Sequence, residues 1–231
     1  MVKKNLHKAS GILVIDAKHV PVKGVGYCEF LAYDTNIGLV NRCHLKGGET
    51  TWGYRKIFKE LKAAGYEVKV VVSDGGTGIF SALRHFGIKR HQRCHIHLMR
   101  DLKTGLRVHA KRPRIVLRKY YWIKYAKLVL NSNDESQLVL RLEHFKRVVF
   151  TMWTGGGDVE LNSIKGFIRT LPLAFTFMDY QKLWSIPKTT NVLEGYISHL
   201  NARLKTMRGL KSPANAGRIL NAIHYFLRKK I

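Results

Sequence analysis

The first half of the chain alternates between short apolar runs and segments in which apolar residues recur at helical spacing. The runs are bounded by glycines and polar turns, which is typical of buried strands joined by short loops. The predicted strands are Gly11–Asp16, Gly26–Tyr33, Gly38–Leu45, Val68–Asp74 and a short segment near Ile88–Arg93. The predicted helices are Thr50–Ala64, a segment containing Ile79, Leu83 and Phe86, and a segment from Cys94 onward.

The second half lacks strand patterns between about Pro113 and Pro172, and further helices are predicted at Thr189–Arg208 and Pro213–Lys230. The order of three strands, helix, strand, helix, strand and helix predicts an α/β protein with a ribonuclease H-like mixed sheet. In that fold three antiparallel strands precede α/β crossovers, and here a helical insertion would precede a last pair of helices. We therefore expect residues 1–112 to form the first part of the core, residues 113–180 a mostly helical insertion, and residues 181–231 the C-terminal part.

The charge of the chain is strongly unbalanced. Its 231 residues include 41 Lys and Arg but 15 Asp and Glu, a formal net charge of +26. Such a balance predicts a polyanionic partner, most simply DNA or RNA. The alternatives are a ribosomal-type protein or a general lysine-rich bias of the proteome. The three cysteines form no C-x-x-C pair, which argues against a disulfide framework and favours a reducing compartment. No apolar run is long enough for a signal peptide or a membrane span.

Three acidic residues stand out in this basic chain: Asp16 and Asp74, each at the end of an apolar run, and Glu194 in the helix predicted at Thr189–Arg208. Carboxylates on neighbouring strands and on a helix packed against them can hold divalent cations for phosphodiester chemistry. Each carboxylate also has a structural interpretation. An aspartate after a strand is often a turn or cap residue, and Asn191 with Glu194 matches a capping box.

Two sequence blocks resemble those of Mutator-type transposases of bacterial and archaeal insertion sequences. The first runs from Val72-Ser-Asp74-Gly-Gly to His91-Gln-Arg-Cys94-His-Ile-His97. The second is Thr189-Thr-Asn-Val-Leu-Glu194-Gly, followed by Asn201 and Met207-Arg-Gly209. The resemblance implies a DDE enzyme in which Asp16, Asp74 and Glu194 bind two Mg²⁺ ions, with Mn²⁺ able to substitute. It also implies cleavage of transposon ends followed by strand transfer into target DNA.

Cys94 and His97 match the C-x-x-H motif of that family, and Asn191 and Asn201 flank the glutamate. The spacing of Cys94 and His97 puts both side chains on one helical face and would permit metal binding. A zinc site normally has four ligands, and no second pair is evident. We therefore favour structural packing near the active site over zinc.

Cations that could contact DNA phosphates occur in two groups. They are Arg112, Arg114, Arg118 and Lys119 in the insertion, and Arg203, Lys205, Arg208 and Lys211 after Glu194. Aromatic residues among the first group, such as Trp122 and Tyr125, could stack on unpaired bases, but their helical spacing favours a core role. The expected partners are element-end and target DNA, with a homodimer assembled on that DNA and no membrane.

Asp16 comes almost at the start of the chain, whereas the family usually has a DNA-binding region before the first aspartate. The chain is therefore expected to be a catalytic fragment or the product of a split or decayed element, with a separate DNA-binding subunit or domain as a possible partner. Two rival functions stay open: a ribonuclease H-like nuclease or resolvase without strand transfer, and an inactive DNA-binding remnant. The resemblance implies a cytoplasmic, nucleoid-associated protein of a prokaryote.

Overall fold

A computed structural model describes residues 6–108, 117–153, 158–207 and 210–228. The chain divides into two compact units, which are described separately. The first consists of Met1–His91 together with Thr189–Ile231, and the second of Gln92–Lys188. A division at these residues makes the first unit discontinuous in sequence.

The first unit is built around a mixed sheet, which confirms the predicted α/β class. The five strands lie in the order β3-β2-β1-β4-β5. Their bounds are β1 Ile12–Val22, β2 Val25–Asp34, β3 Gly38–Lys46, β4 Val70–Ser73 and β5 His91–Arg93. β1 pairs antiparallel with β2, β2 pairs antiparallel with β3, and β1 pairs parallel with β4. A short 3-10 helix, Leu6–Lys8, precedes β1.

The prediction that Asp16 ends a strand is wrong. β1 continues to Val22 because its second half pairs with β2, through to the pair Val22 and Val25. The polar residues Lys18 and His19 conceal this extension in the sequence, since here the strand is only partly covered. The parallel ladder between β1 and β4, in contrast, is recorded only as far as Val14 and Val72.

Four helices complete the first unit: α1 Thr51–Ala63, α2 Thr77–His85, α8 Asn191–Thr206 and α9 Pro213–Arg228. Helix α1 begins as predicted, because the Thr50 side chain accepts a hydrogen bond from the Gly53 amide. The sheet face towards α1 and α2 is a dry core. Leu13, Ile15, Phe30 and Val71 are fully buried there with apolar residues of both helices. We call this the α1/α2 face.

The opposite sheet face carries α9, and we call it the α8/α9 face. Residues alternate between the two faces of a strand, so Glu29 and Leu31 point away from Phe30. His224 of α9 contacts Glu29 from this side, and α8 contacts β1. Because directly opposed residues of antiparallel strands share a face, Asp16, which is paired with Leu31, belongs to the α8/α9 face.

The second unit is helical apart from the end of β5 in the residues that the structure describes. Its helices are α3 His95–Gly105, α4 Leu117–Leu130, α5 Glu135–Thr151, α6 Asp158–Ala174 and α7 Thr176–Tyr180. Trp122, Phe145 and Phe167 are buried in its core. The buried Gln92 side chain donates to the Ala174 carbonyl and accepts from the Phe177 amide, at 2.7 and 3.0 Å. No helix in the described part of the chain is both long and apolar enough to cross a membrane.

Candidate active site

Asp16 lies within β1, and Asp74 directly follows the neighbouring parallel strand β4. Leu13 is paired with Val71 and Val14 with Val72, and continuing this register by two residues would bring Asp16 level with Asp74. Neighbouring strands lie about 4.8 Å apart, and alternation gives Asp16 the face of Val14. Asp16 and Asp74 are each half-buried, so they stand at the border between core and solvent.

The backbone after Asp74 turns sharply and leaves little bulk above the carboxylate. Gly75 has a φ of 74°, in the left-handed region that glycine adopts without steric cost. The Gly76 amide donates to Asp74 Oδ1 at 3.0 Å, and the Gly75 amide donates to Ser73 Oγ at 3.1 Å. Ser73 Oγ is also hydrogen-bonded to His91 Nε2 at 2.8 Å. These contacts fix the orientation of the loop that carries Asp74.

Glu194 lies in the first turn of α8 and is half-buried. Its Oε1 accepts a hydrogen bond from the Thr190 hydroxyl at 3.0 Å, and Thr190 itself is fully buried. The helix is capped at Thr190 rather than at Asn191, so the capping box proposed for Asn191 and Glu194 is wrong. The Glu194 carboxylate instead bonds the hydroxyl four residues earlier and keeps one oxygen outside that bond.

The three carboxylates are not gathered into a ready-made ligand cluster. Among the described residues no group of three or more His, Cys, Asp or Glu side chains is placed to hold a metal ion. Asp16 lies on β1, Asp74 directly follows the neighbouring strand β4, and Glu194 belongs to a helix that contacts β1. Donor chemistry nevertheless fits Mg²⁺, which typically takes one or two protein carboxylates and completes its shell with water and substrate phosphate.

A fourth carboxylate, that of Glu49, lies close to Asp74. A side-chain atom added at Gly76 would stand 3.5 Å from Glu49 Oε1 and 3.6 Å from Asp74 Oδ2, so both carboxylates flank one small space. Tyr54, which is 1% exposed, donates its hydroxyl to Glu49 Oε1 at 2.7 Å. The sequence predictions missed Glu49, because it stands in a polar loop before α1 without any motif around it.

The electrostatics of nearby buried groups report the same concentration of negative charge. Burial is the main cause of the raised pKa of Tyr54, followed by its hydrogen bond to Glu49 and by the charges of Glu49, Asp74 and Asp16. Burial also raises the pKa of the Cys28 thiol to about 12, again with Glu49 and Asp16 adding to the shift. In a chain of net charge +26, this corner of the sheet is locally acidic.

The family model for transposases of the Mutator family matches residues 6–225. That range covers nearly the whole chain, including the sheet, the helices of the second unit, α8 and most of α9. The protein belongs to the Mutator family of transposases. The family implies an activity of cutting and joining DNA, and therefore DNA binding. No curated protein matches the sequence.

Cys94 and His97, the C-x-x-H pair of this transposase, lie at the start of α3. Cys94 precedes the helix as its N-cap residue and is fully buried, whereas His97 is half-buried within it. The three cysteines Cys28, Cys43 and Cys94 are buried and are not joined in disulfide bonds. The next residue after Cys94, His95, is buried with its Nε2 2.6 Å from the Ala174 carbonyl, so the motif is embedded in the helical core of the second unit. Asn191 and Asn201 are both exposed on α8.

The predicted DNA-contacting cations divide into three sets. Arg112, Arg114 and Arg208 lie outside the described residues. Arg118 and Lys119 both contact the Glu160 carboxylate, at 3.3 and 2.6 Å, so one of their two positive charges is balanced within the second unit. Arg203, Lys205 and Lys211 are exposed.

The aromatic residues of α4 differ in burial. Trp122 is fully buried and stacks on Trp153, whereas Tyr120 is exposed. Tyr125 is half-buried and its ring lies 4.6 Å from that of His144. The preference for a core role is therefore confirmed for Trp122.

Proposed function

We propose that this transposase is a DDE enzyme that cleaves the ends of an insertion sequence and joins them to target DNA in a Mg²⁺-dependent reaction. The observation that carries the proposal is the register of β1 and β4, whose last pair is Val14 and Val72. Extended by two residues, this register would put Asp16 level with Asp74, which directly follows the end of β4. Helix α8, which bears Glu194, contacts β1 in the same unit. The strand order β3-β2-β1-β4-β5, with its first three strands antiparallel, supports assignment to the ribonuclease H-like fold.

Asp16, Asp74 and Glu194 are the residues that would hold the metal ions. Two divalent ions, when bound, neutralise the scissile phosphate and stabilise the attacking and leaving oxygens. Asp16 would offer an oxygen ligand from within β1, Asp74 from the loop that follows β4, and Glu194 from the first turn of α8. Hard carboxylate oxygens are the ligands preferred by Mg²⁺, and Mn²⁺ accepts them as well.

The proposed chemistry proceeds in two displacements at phosphorus. In the first, the oxygen of water bonds to a phosphorus at the element end, and the bond to the 3′ oxygen breaks. That oxygen takes a proton, giving a 3′-hydroxyl and a 5′-phosphate. In the second, the 3′-hydroxyl loses its proton and bonds to a target phosphorus, while the target 3′ oxygen leaves and is protonated. No bond to the enzyme forms.

The basic surface would hold the DNA on which these carboxylates act. Arg203 and Lys205 lie in the last turn of α8, on the helix that carries Glu194, and Lys211 follows shortly after. Exposed cations of this kind bind phosphates and release counterions, so affinity should fall steeply with salt. A homodimer on DNA, a separate DNA-binding subunit or domain, and a site of action at the nucleoid in a prokaryotic cytoplasm complete the proposal.

The test is a cleavage and joining assay on DNA that carries the flanking element ends. We expect nicked ends with a free 3′-hydroxyl and joined products in Mg²⁺ or Mn²⁺, and neither product after chelation with EDTA. Asp74→Asn keeps the size of the side chain but removes its charge, and it should abolish both products. Glu143→Gln is the matched control, because Glu143 is an exposed carboxylate of α5 paired with Lys146.

The outcomes separate the rival functions. Nicked ends without joined products would support a nuclease or resolvase instead. Salt-sensitive binding without cleavage in either metal would support a DNA-binding remnant. Cleavage that survives Asp74→Asn would overturn the site assignment.

A further inference from the structure

A buried chain of polar side chains links three elements of the first unit. Glu29 of β2 and His224 of α9 are 0% and 1% exposed, and Tyr196 of α8 is 4% exposed. His224 Nε2 lies 2.7 Å from Glu29 Oε1, and the Tyr196 hydroxyl lies 2.5 Å from His224 Nδ1. The rings of Tyr196 and His224 are also stacked, with an angle of 10° between their planes. One path of hydrogen bonds thus runs from the sheet through α9 to α8.

Elementary hydrogen-bond chemistry gives this chain a direction. An ionised carboxylate only accepts, so His224 Nε2–H donates to Glu29. With the neutral imidazole, Nδ1 is then an acceptor and the Tyr196 hydroxyl donates to it. Each bond requires the next group to hold its orientation, and a buried polar group that loses its partner is costly.

Glu29, the sheet end of this hydrogen-bonded path, is firmly anchored beside Asp16. Glu29 is paired with Lys18, two residues beyond Asp16 on β1. Arg42 of β3 lies 3.7 Å from Glu29 Oε1 and also bonds Asn221 of α9. Glu29 Oε2 has no hydrogen-bond partner among the described residues, so the stability of its buried position depends on the contacts to Oε1.

Helix α9 approaches the sheet closely because of Gly217. A side-chain atom added at Gly217 would stand 2.7 Å from His44 Nε2, closer than such contacts allow. His44 is paired with Glu29 across β2 and β3. The small residue therefore lets α9 bring His224 within reach of the carboxylate.

The Tyr196 end of this hydrogen-bonded path lies two residues from Glu194. The buried stripe of α8 otherwise consists of Leu193, Leu200 and Leu204, and apolar contacts are non-directional. Tyr196 adds the directional contact that sets how the helix is rotated about its axis. We propose that Glu29, His224 and Tyr196 form a positioning device that fixes the rotation of α8, and with it the Glu194 carboxylate, relative to Asp16.

The geometry of a helix shows why such a device matters. Side chains reach about 5–6 Å from the helix axis, so a rotation of about 20° would displace the Glu194 carboxylate by roughly 2 Å. Displacements of about 1 Å in a reacting centre can cost about 100-fold in rate. This inference rests on the proposed function for its effect on catalysis, but the restraint on α8 is testable without any reaction.

Tyr196→Phe is the sharpest variant, because it removes only the hydroxyl and keeps the ring that stacks on His224. Tyr66→Phe is the matched control. Tyr66 is also buried, and its hydroxyl also bonds a buried side chain, in this case the carboxylate of Asp34, at 2.6 Å. Both variants lose one hydroxyl-to-partner hydrogen bond in the same unit, but only Tyr196 belongs to α8.

The first measurement is amide hydrogen exchange of the full chain without metal or DNA. Tyr196→Phe should accelerate exchange in Asn191–Thr206 by about tenfold or more relative to wild type, while α1 and β4 keep their rates. Tyr66→Phe should leave α8 unchanged. Equal exchange in α8 for both variants, or no change in Tyr196→Phe, would overturn the positioning device whatever the enzyme does.

The second measurement separates chemistry from binding. The comparison is made under conditions in which both variants are folded. At saturating DNA, Tyr196→Phe should lower the single-turnover cleavage rate by about 10- to 100-fold. Its Kd for DNA should stay within about twofold of the wild-type value. Tyr66→Phe should keep both constants. A loss of affinity at an unchanged rate would overturn the proposal. If wild type does not cleave, the proposed function fails, and the exchange result alone decides whether α8 is restrained by this chain.

Discussion

The two faces of the sheet bury carboxylates in opposite ways. At the rim of the α1/α2 face, Asp34 accepts hydrogen bonds from amide and hydroxyl donors in three surrounding segments. On the α8/α9 face, Glu29 is bonded through Oε1 to His224 while Oε2 has no hydrogen-bond partner in the described chain. Both residues are 0% exposed.

The difference indicates what each face contributes. The donors to Asp34 are the Ser10, Gly11, Asn36 and Ile37 amides and the Ser10 and Tyr66 hydroxyls. A carboxylate satisfied in this way closes a turn and stabilises the fold. Glu29 is incompletely satisfied, and such buried polar groups are retained where a specific arrangement matters more than stability. We therefore expect the α1/α2 face to contribute most of the stability of the unit, and the α8/α9 face to contribute its polar geometry.

The largest expected effect is the loss of a core ring from the α1/α2 face. Phe30→Ala should lower the free energy of unfolding by about 3–5 kcal/mol, because it removes a fully buried aromatic side chain and leaves a cavity. Gly53→Ala should also destabilise, by about 1–3 kcal/mol, since its new methyl would stand 2.2 Å from the Phe30 ring. Urea unfolding measures both.

The control for Phe30→Ala is Phe150→Ala, because Phe150 is 82% exposed. It should change stability by less than about 0.5 kcal/mol. A loss below about 1 kcal/mol for Phe30→Ala would mean that the α1/α2 face is not the main source of stability.

The second effect concerns Asp34. Asp34→Asn should lower the free energy of unfolding by about 2–3 kcal/mol at neutral pH. The side-chain NH2 group of asparagine would face N–H and O–H donors whose hydrogen bonds the carboxylate accepts. Burial alone would raise the pKa of Asp34, but the bonds from Tyr66, Asn36 and Ser10 outweigh it and lower that pKa. A lowered pKa contributes stability that is present above the unfolded value, about 3.9, and is lost as pH falls through the folded value.

The pH dependence of unfolding tests this assignment. The stability difference between wild type and Asp34→Asn should be constant from about pH 7 to 5 and shrink below about pH 4. A difference that grows on acidification would contradict the lowered pKa.

The strands of the sheet were largely predictable from the sequence. Apolar runs bounded by glycines and polar turns predicted the order of the strands along the chain correctly, because burial and turn chemistry are local signals. The length of β1 was missed, since its second half is held by pairing with β2 rather than by burial. Asp16 was therefore predicted as a candidate site residue from a strand end that the structure does not have.

The polar contacts of the site were harder to predict. Glu49 and Asp74 are far apart in sequence. They come close only because the start of α2, at Gly76 and Gly78, lies beside the start of α1. Glu29 and His224 are separated by 195 residues. No period or spacing in the sequence encodes such a contact, although a glutamate within the apolar segment Gly26–Tyr33 was a signal that a partner must exist.

The third effect is that of Glu29→Gln, expected to cost about 1–2 kcal/mol, less than Asp34→Asn. Glutamine can keep an acceptor toward His224 and put its amide at the oxygen that lacks a partner, so fewer bonds are lost. Chemical unfolding of the two variants under identical conditions makes the comparison. A larger loss for Glu29→Gln than for Asp34→Asn would show that the α8/α9 face is a principal source of stability after all.

The smallest effect has the opposite sign and lies on α8 itself. Gly195 is exposed in the interior of the helix, and a methyl group there would meet nothing within 4 Å. Gly195→Ala should therefore stabilise the protein by about 0.5–1 kcal/mol, because alanine loses less backbone entropy in a helix. Gly166→Ala in α6 also has open space and should gain the same amount. Thermal unfolding compares the two with Gly53→Ala, where the same methyl group collides with Phe30. If Gly195→Ala lowered the stability while Gly166→Ala raised it as expected, the contacts that hold α8 in place would have to disfavour the more helical backbone that alanine promotes.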